Sequence, residues 1–149
     1  MTPASTFAIA NTFRVAYERC RGSGAPADQG IPNAIIPSIV CLAFAIEVGL
    51  KSILNASSSA TSGHRLDKLF NGLAEADRLR IIIESGVEAE SFRQNLEAVS
   101  NSFVEWRYIY EHRGIKSISE EFLLMLWSAI ENVALEKIKE QRANIKRDV

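Results

Sequence analysis

The distribution of proline constrains this chain more than any other feature of its sequence. All four prolines, Pro3, Pro26, Pro32 and Pro37, lie in the first quarter, and the rest of the chain has none. After Pro37 the apolar residues recur at intervals of three and four, which places them along one side of an α-helix. A strand pattern would alternate at every second residue. The sequence therefore predicts helices throughout and an all-α fold.

Capping residues and glycines divide this pattern into segments. The first helix is expected to start with Ser5 or Thr6 as its N-cap, and the second is expected at the centre of the bundle because it is apolar nearly all round. The last helix should open at the capping box of Ser117 and Glu120. The predicted helices are residues 5–21, 37–55, 64–73, 75–84, 89–112 and 117–142. We expect one antiparallel bundle of about five helices, a single domain over residues 1–149 with a frayed basic tail at 143–149.

Length, charge and residue usage limit the class of protein. A chain of 149 residues can bury enough surface to fold without a disulfide or structural metal. The formal net charge of -1 excludes a strongly basic, DNA-coating protein. Cys20 and Cys41 match no metal spacing, and only two histidines are present. We expect buried free thiols, with one disulfide as the alternative, and neither a metal nor another cofactor.

The sequence offers no strong signal for a membrane or an export route. The first residues lack the cationic start of a secretory signal. The longest uncharged run, residues 29–46, is interrupted by prolines and falls short of the roughly 20 apolar residues that a membrane span needs. We therefore expect a cytoplasmic protein without a membrane anchor.

One segment, residues 103–112, concentrates side chains that could perform chemistry. It contains Arg107, His112, a pair of glutamates and several aromatic rings. Cleavage of RNA by its own 2′-hydroxyl needs a group that transfers protons and a positive charge on the phosphate, and histidine with arginine supplies both without a metal. On an ideal helix the two side chains would point about 140° apart. They could converge if the helix ends near His112 or if a dimer shares the site.

Ordinary structural roles for the same residues remain open. Arg107 and Glu111 are four residues apart and could form a surface ion pair, while His112 could cap a helix C-terminus. Tyr110 could pack in the core or at a dimer interface. Glu47 could pair with Lys51 on an exposed helix face, or it could be a buried carboxylate that faces Arg107 from another helix. His64 is expected to begin a helix with a local hydrogen bond.

Three stretches together resemble the HEPN domain family, in particular small bacterial all-α members. The arginine and histidine of residues 107–112 have the family's Arg-x4-His spacing. Residues 44–51, with Glu47 and Lys51 inside an apolar helix, and residues 63–70 resemble one branch of the family. The resemblance covers about residues 5 to 135.

This resemblance implies a homodimeric, metal-independent endoribonuclease of the toxin–antitoxin or phage-defence type. RNA would lie in a cleft between protomers, with His112 as acid/base and Arg107 as phosphate clamp. The supporting candidates are Glu47, Lys51, Tyr108, Tyr110 and Glu111. Catalytic members often carry Asn, Asp or His directly after the arginine, where this chain has Tyr108. The alternative is a non-catalytic HEPN module that binds RNA, a nucleotide or a partner protein such as an antitoxin.

Overall fold

A computed structural model describes residues 1–22, 34–57, 59, 62–108 and 118–147 of the chain. Within these ranges the regular secondary structure is entirely helical, which confirms the predicted all-α bundle. The described residues form seven helices rather than about five, because one predicted helix is divided and a short one is counted separately. They are α1 (Pro3–Gly22), α2 (Ile35–Ala56), α3 (Leu66–Asn71), α4 (Glu75–Ser85), α5 (Ala89–Val99), α6 (Ser102–Arg107) and α7 (Glu120–Arg147).

Helix α2 occupies the centre of the bundle, as its apolar surface predicts. It packs against α1, α3, α6 and α7. Gly49 lets α7 approach closely, because a Cβ atom at this position would lie 2.8 Å from Cγ2 of Ile130. Helix α2 is long and apolar enough to cross a membrane, because an 18-residue stretch of it has a mean hydropathy of 1.8. However, 61% of this stretch is buried inside the bundle. Buried core helices of soluble proteins can have the same length and hydropathy, so these properties are weak evidence for a membrane span.

The predicted long helix over residues 89–112 is wrong, because α5 ends at Val99 and α6 begins at Ser102. The Ser100 hydroxyl donates a hydrogen bond to the carbonyl of Leu96, and its carbonyl accepts one from the N–H of Leu66. Serine side chains that bond to nearby backbone compete with the helical pattern. The chain therefore breaks where α3 docks, and it resumes as a short helix that ends at Arg107.

The helix ends also differ in part from expectation. Thr2 caps α1 instead of Ser5 or Thr6, since its Oγ1 accepts a hydrogen bond from the N–H of Ser5, and Pro3 takes the first helical position. Ser119 caps α7 through the N–H of Phe122. The capping-box residue Ser117 lies outside the described residues. Helix α7 continues to Arg147, beyond the predicted end at residue 142.

Candidate functional site

The side chain of Glu47 is the centre of the site. It is fully buried on α2, and its Oε1 atom lies 2.8 Å from Nζ of Lys51, one turn later on the same helix. The same oxygen lies 2.9 Å from Nδ1 of His64. Among the described residues, Oε2 of Glu47 has no hydrogen-bond partner. Burial of a carboxylate with one unsatisfied oxygen costs stability, so the arrangement needs a reason beyond filling the core.

His64 reaches Glu47 because the start of α3 is fixed to the break between α5 and α6. The N–H of Leu66 donates to the carbonyl of Ser100 at 3.0 Å, and the N–H of Asp67 donates to its hydroxyl at 3.2 Å. Gly63 before the histidine has a φ of 94°, in the left-handed region that favours glycine. These contacts place His64 over α2, with 60% of its side chain still exposed.

Arg65, directly after His64, makes a second charged contact at the same end of α3. Its guanidinium donates to both carboxylate oxygens of Asp67, at 3.1 and 2.8 Å. The hydrogen bond from Arg65 is the main cause that lowers the pKa of Asp67 below its ordinary value. Arg65 is therefore committed to its neighbour, whereas the imidazole of His64 turns toward Glu47.

Aromatic rings connect His64 to Arg107. Phe103 stacks on Phe44 of α2 with ring centroids 4.6 Å apart, and the imidazole of His64 lies 5.9 Å from the Phe103 centroid. Cζ of Arg107 lies 4.8 Å from the same centroid and 4.6 Å from the ring centroid of Tyr108. Cation–π contacts of this kind orient a guanidinium while its N–H bonds, which lie in its plane, stay directed past the rings.

We call Lys51, His64 and Arg107 the basic cluster, with Glu47 as the buried carboxylate beneath it. Lys51 is 21% exposed, and Arg107 is exposed at the end of α6. Lys51 and His64 lie at the buried carboxylate, and the exposed Arg107 shares the ring of Phe103 with His64. This group of positive or ionisable donors favours an anionic ligand with several oxygen atoms, such as a phosphate. The imidazole adds a group that can accept or donate a proton.

The structure decides between the two interpretations of Glu47. The predicted pair of Glu47 with Lys51 is confirmed, but the exposed position is wrong, because Glu47 is buried. The second partner of the buried carboxylate is His64 instead of Arg107. The expectation of a local hydrogen bond for His64 is also wrong, because its partner is 17 residues away. The ring of Tyr108 lies against the guanidinium of Arg107.

The described residues do not include Tyr110, Glu111 and His112. Helix α6 ends at Arg107, so the angle of 140° expected between Arg107 and His112 on one continuous helix does not apply. His64 is the residue that sequence reasoning missed as a site candidate. A signal for it existed, because His64 belongs to one of the three stretches that resemble the HEPN family.

A groove of about 570 Å³ lies elsewhere, between α3, α4 and α5. Its charged lining consists of Asp67, Glu75, Arg78, Arg93 and Glu97, so acidic side chains balance the arginines. It lacks the excess of positive charge that the basic cluster has, and the basic cluster is the better candidate for an anion.

Three further findings concern metal ligands, the cysteines and the comparison with known proteins. Among the described side chains no group of three or more His, Cys, Asp or Glu residues could hold a metal ion. Cys20 and Cys41 are both partly buried, and no disulfide joins them. Comparison of the chain with protein-family models, curated proteins and solved structures found no match.

Proposed function

We propose that the chain is a HEPN-family protein that binds RNA at the basic cluster and cleaves it without a metal ion. The observation that carries the proposal is the meeting of three separate stretches. Glu47 and Lys51 come from α2, His64 precedes α3, and Arg107 ends α6, yet contacts of 2.8–5.9 Å connect them. These are the stretches that resemble the HEPN family.

Arg107 acts as the phosphate clamp in this proposal. Its planar guanidinium can donate two parallel hydrogen bonds to two oxygens of one phosphate, and the rings of Phe103 and Tyr108 limit its motion. Positive charge at this position stabilises the phosphate as it gains negative charge in the transition state. His112 is the acid/base, as the resemblance implies.

Labelled RNA incubated with the purified protein in excess chelator tests the activity. We expect cleavage by the wild type, and a loss of about 10²–10⁴-fold in the Arg107→Ala and His112→Ala variants. Arg93→Ala serves as the control, because it removes an exposed arginine that pairs with Glu90 on α5. Cleavage that needs a metal, or that survives both substitutions, would contradict the proposal.

Binding without cleavage is the second candidate function, and Tyr108 is the observation that favours it. Its ring is partly exposed beside Arg107, where it offers a surface on which an RNA base could stack. A gel-shift titration with the same RNA separates the two functions. Complex formation that Arg107→Ala weakens, with intact RNA recovered afterwards, would indicate a binding module.

The proposal includes a homodimer whose two basic clusters face one cleft. Val104 and Tyr108 expose apolar surface on and next to α6, beside Arg107. Sedimentation of the protein at micromolar concentration should give twice the chain mass of 16.5 kDa. A monomeric mass under these conditions would contradict a cleft formed by two protomers.

A further inference from the structure

Cleavage of RNA by its own 2′-hydroxyl needs two proton transfers, one from the attacking oxygen and one to the leaving oxygen. The proposed function assigns one histidine, His112. We infer that His64 is the second proton-transfer group and that Glu47 positions it, an inference that rests on the proposed function. It deepens that function by naming the base that activates the 2′-hydroxyl.

The hydrogen bond between His64 and Glu47 determines where the imidazole carries its proton. An ionised carboxylate can only accept hydrogen bonds, and Nζ of Lys51 donates one to the same oxygen of Glu47. Nδ1 of His64, 2.9 Å from that oxygen, must therefore carry the hydrogen. In the neutral ring Nε2 then has a free lone pair and can accept a proton.

The lone pair on Nε2 is directed away from the protein interior. Glu47 has no solvent exposure, whereas 60% of the His64 side chain is exposed. Since Nδ1 faces the buried carboxylate, the opposite edge of the ring is the edge that a ligand can reach. This combination of a buried acceptor, an oriented imidazole and an open Nε2 is the arrangement by which a carboxylate prepares a histidine for proton transfer.

Arg107 lies close enough to act on the same nucleotide. The imidazole and the guanidinium both approach the ring of Phe103, at 5.9 and 4.8 Å from its centroid. The sum of these two distances is therefore an upper limit on the separation between the imidazole centre and Cζ. We expect a phosphodiester held by Arg107 to direct its neighbouring 2′-hydroxyl toward Nε2.

The step balances without another reactant. The 2′-hydroxyl gives its proton to Nε2 of His64, and the 2′-oxygen uses the freed electron pair to form a bond to phosphorus. The bond from phosphorus to the 5′-oxygen breaks, and that oxygen takes a proton from His112. The products are a 2′,3′-cyclic phosphate and a free 5′-hydroxyl. Glu47 stabilises the imidazolium ion that forms and does not exchange the proton itself.

Nitrogen NMR on the free protein tests the geometry without any RNA. The chain has only two histidines, so the His112→Ala variant leaves His64 as the single imidazole. At a pH where the ring is neutral, we expect the hydrogen on Nδ1 and a lone pair on Nε2. A hydrogen on Nε2, the form common in free imidazoles, would overturn the inference. The Glu47→Gln variant is the matched perturbation, and it should lower the population of the Nδ1–H form.

Cleavage assays test the role of the proton transfer. His64→Ala should lower the rate by about 10²-fold or more, with unchanged helical content and a much smaller loss of RNA affinity. Because the side chain is largely exposed, added imidazole can occupy the vacated position and should restore part of the rate. Glu47→Gln should lower the rate and shift its pH profile, whereas Arg93→Ala should leave both unchanged.

The assays distinguish failure of this inference from failure of the proposed function. If wild type cleaves RNA and Arg107→Ala does not, full activity in His64→Ala overturns only the role of His64. Loss of activity in His64→Ala that imidazole cannot rescue, together with an equal loss of RNA binding, overturns the proton-transfer role as well. If wild type does not cleave RNA in chelator, the proposed function fails and His64 loses the role with it.

Discussion

Replacement of Glu47 by methionine separates what this carboxylate does for the fold from what it does for the basic cluster. Methionine has a similar volume and no charge, so it can fill the same space between apolar side chains on α2. Two charge-assisted hydrogen bonds are lost, those of Lys51 and His64, each worth about 1.5–3 kcal/mol. The desolvation penalty of a buried ion, several kcal/mol, disappears at the same time.

These contributions nearly cancel because both partners can return to water. Lys51 is 21% exposed and His64 is 60% exposed, so neither is left as a buried, unpaired charge. Oε2 had no partner among the described residues, so its removal breaks no hydrogen bond there. The free energy of unfolding of Glu47→Met should therefore stay within about 1 kcal/mol of the wild type. Glu47→Ala should be less stable than Glu47→Met by about 2–5 kcal/mol, because it leaves a cavity.

Urea unfolding followed by circular dichroism measures both variants, and the labelled-RNA assay measures their activity. We expect Glu47→Met to fold with near-normal stability and to lose cleavage. A loss of more than about 2 kcal/mol in Glu47→Met would show that the carboxylate anchors the fold. In that case its burial needs no functional explanation, and retention of cleavage in the same variant would refute the positioning role.

Three other perturbations test the packing and the electrostatics. Gly49→Ala should lower the free energy of unfolding, measured by urea titration, by about 0–2 kcal/mol, since the contact with Ile130 outweighs a gain in helix propensity of about 1 kcal/mol. Gly72→Ala is the control and should be neutral, because the nearest atom to its added Cβ lies 3.4 Å away. The pKa of Asp67 is lower in the folded protein, so the ionised carboxylate stabilises the fold at neutral pH, and this contribution is lost as the pH falls below the ordinary value of 3.8. The urea midpoints of wild type and Asp67→Asn should therefore differ at neutral pH and converge at about pH 2. Burial and the neighbouring Cys20 thiol raise the pKa of Cys41. In the Cys20→Ser variant, alkylation of Cys41 at mildly alkaline pH should therefore be slower in the folded protein than after unfolding in urea. Equal rates would contradict the burial of Cys41.

Local patterns were sufficient to predict the helices that carry the fold. The apolar surface of α2 indicates a central helix. On α7, apolar residues at helical spacing are buried, as Trp127 and Ile130 show. Gly86 ends α4 in the left-handed conformation, with a φ of 69°, where the sequence places a stop. Each of these features depends on residues within a few turns of one another, and such short-range signals are what periodicity and capping rules detect.

Contacts between distant residues decided the remaining features. The break after Val99 depends on the carbonyl of Ser100, whose partner at Leu66 lies more than thirty residues earlier. The pairing of His64 with Glu47 depends on the same docking of α3. Hydropathy and helical spacing contain no information on such contacts. The Ser100–Ser102 stretch is the only local hint, because serines that bond to nearby carbonyls weaken a helix.

The same docking contacts connect the fold to the proposed chemistry. The carbonyl and hydroxyl of Ser100 fix the start of α3, which places His64 above Glu47, while the stack of Phe44 on Phe103 fixes α6 and with it Arg107. A proton-transfer group and a phosphate clamp must keep their relative position to within a fraction of an ångström. Because both groups depend on helices that pack on α2, the central helix that buries the carboxylate also sets the distance between imidazole and guanidinium. A single rigid element can therefore satisfy the geometric requirement without a metal to organise the phosphate.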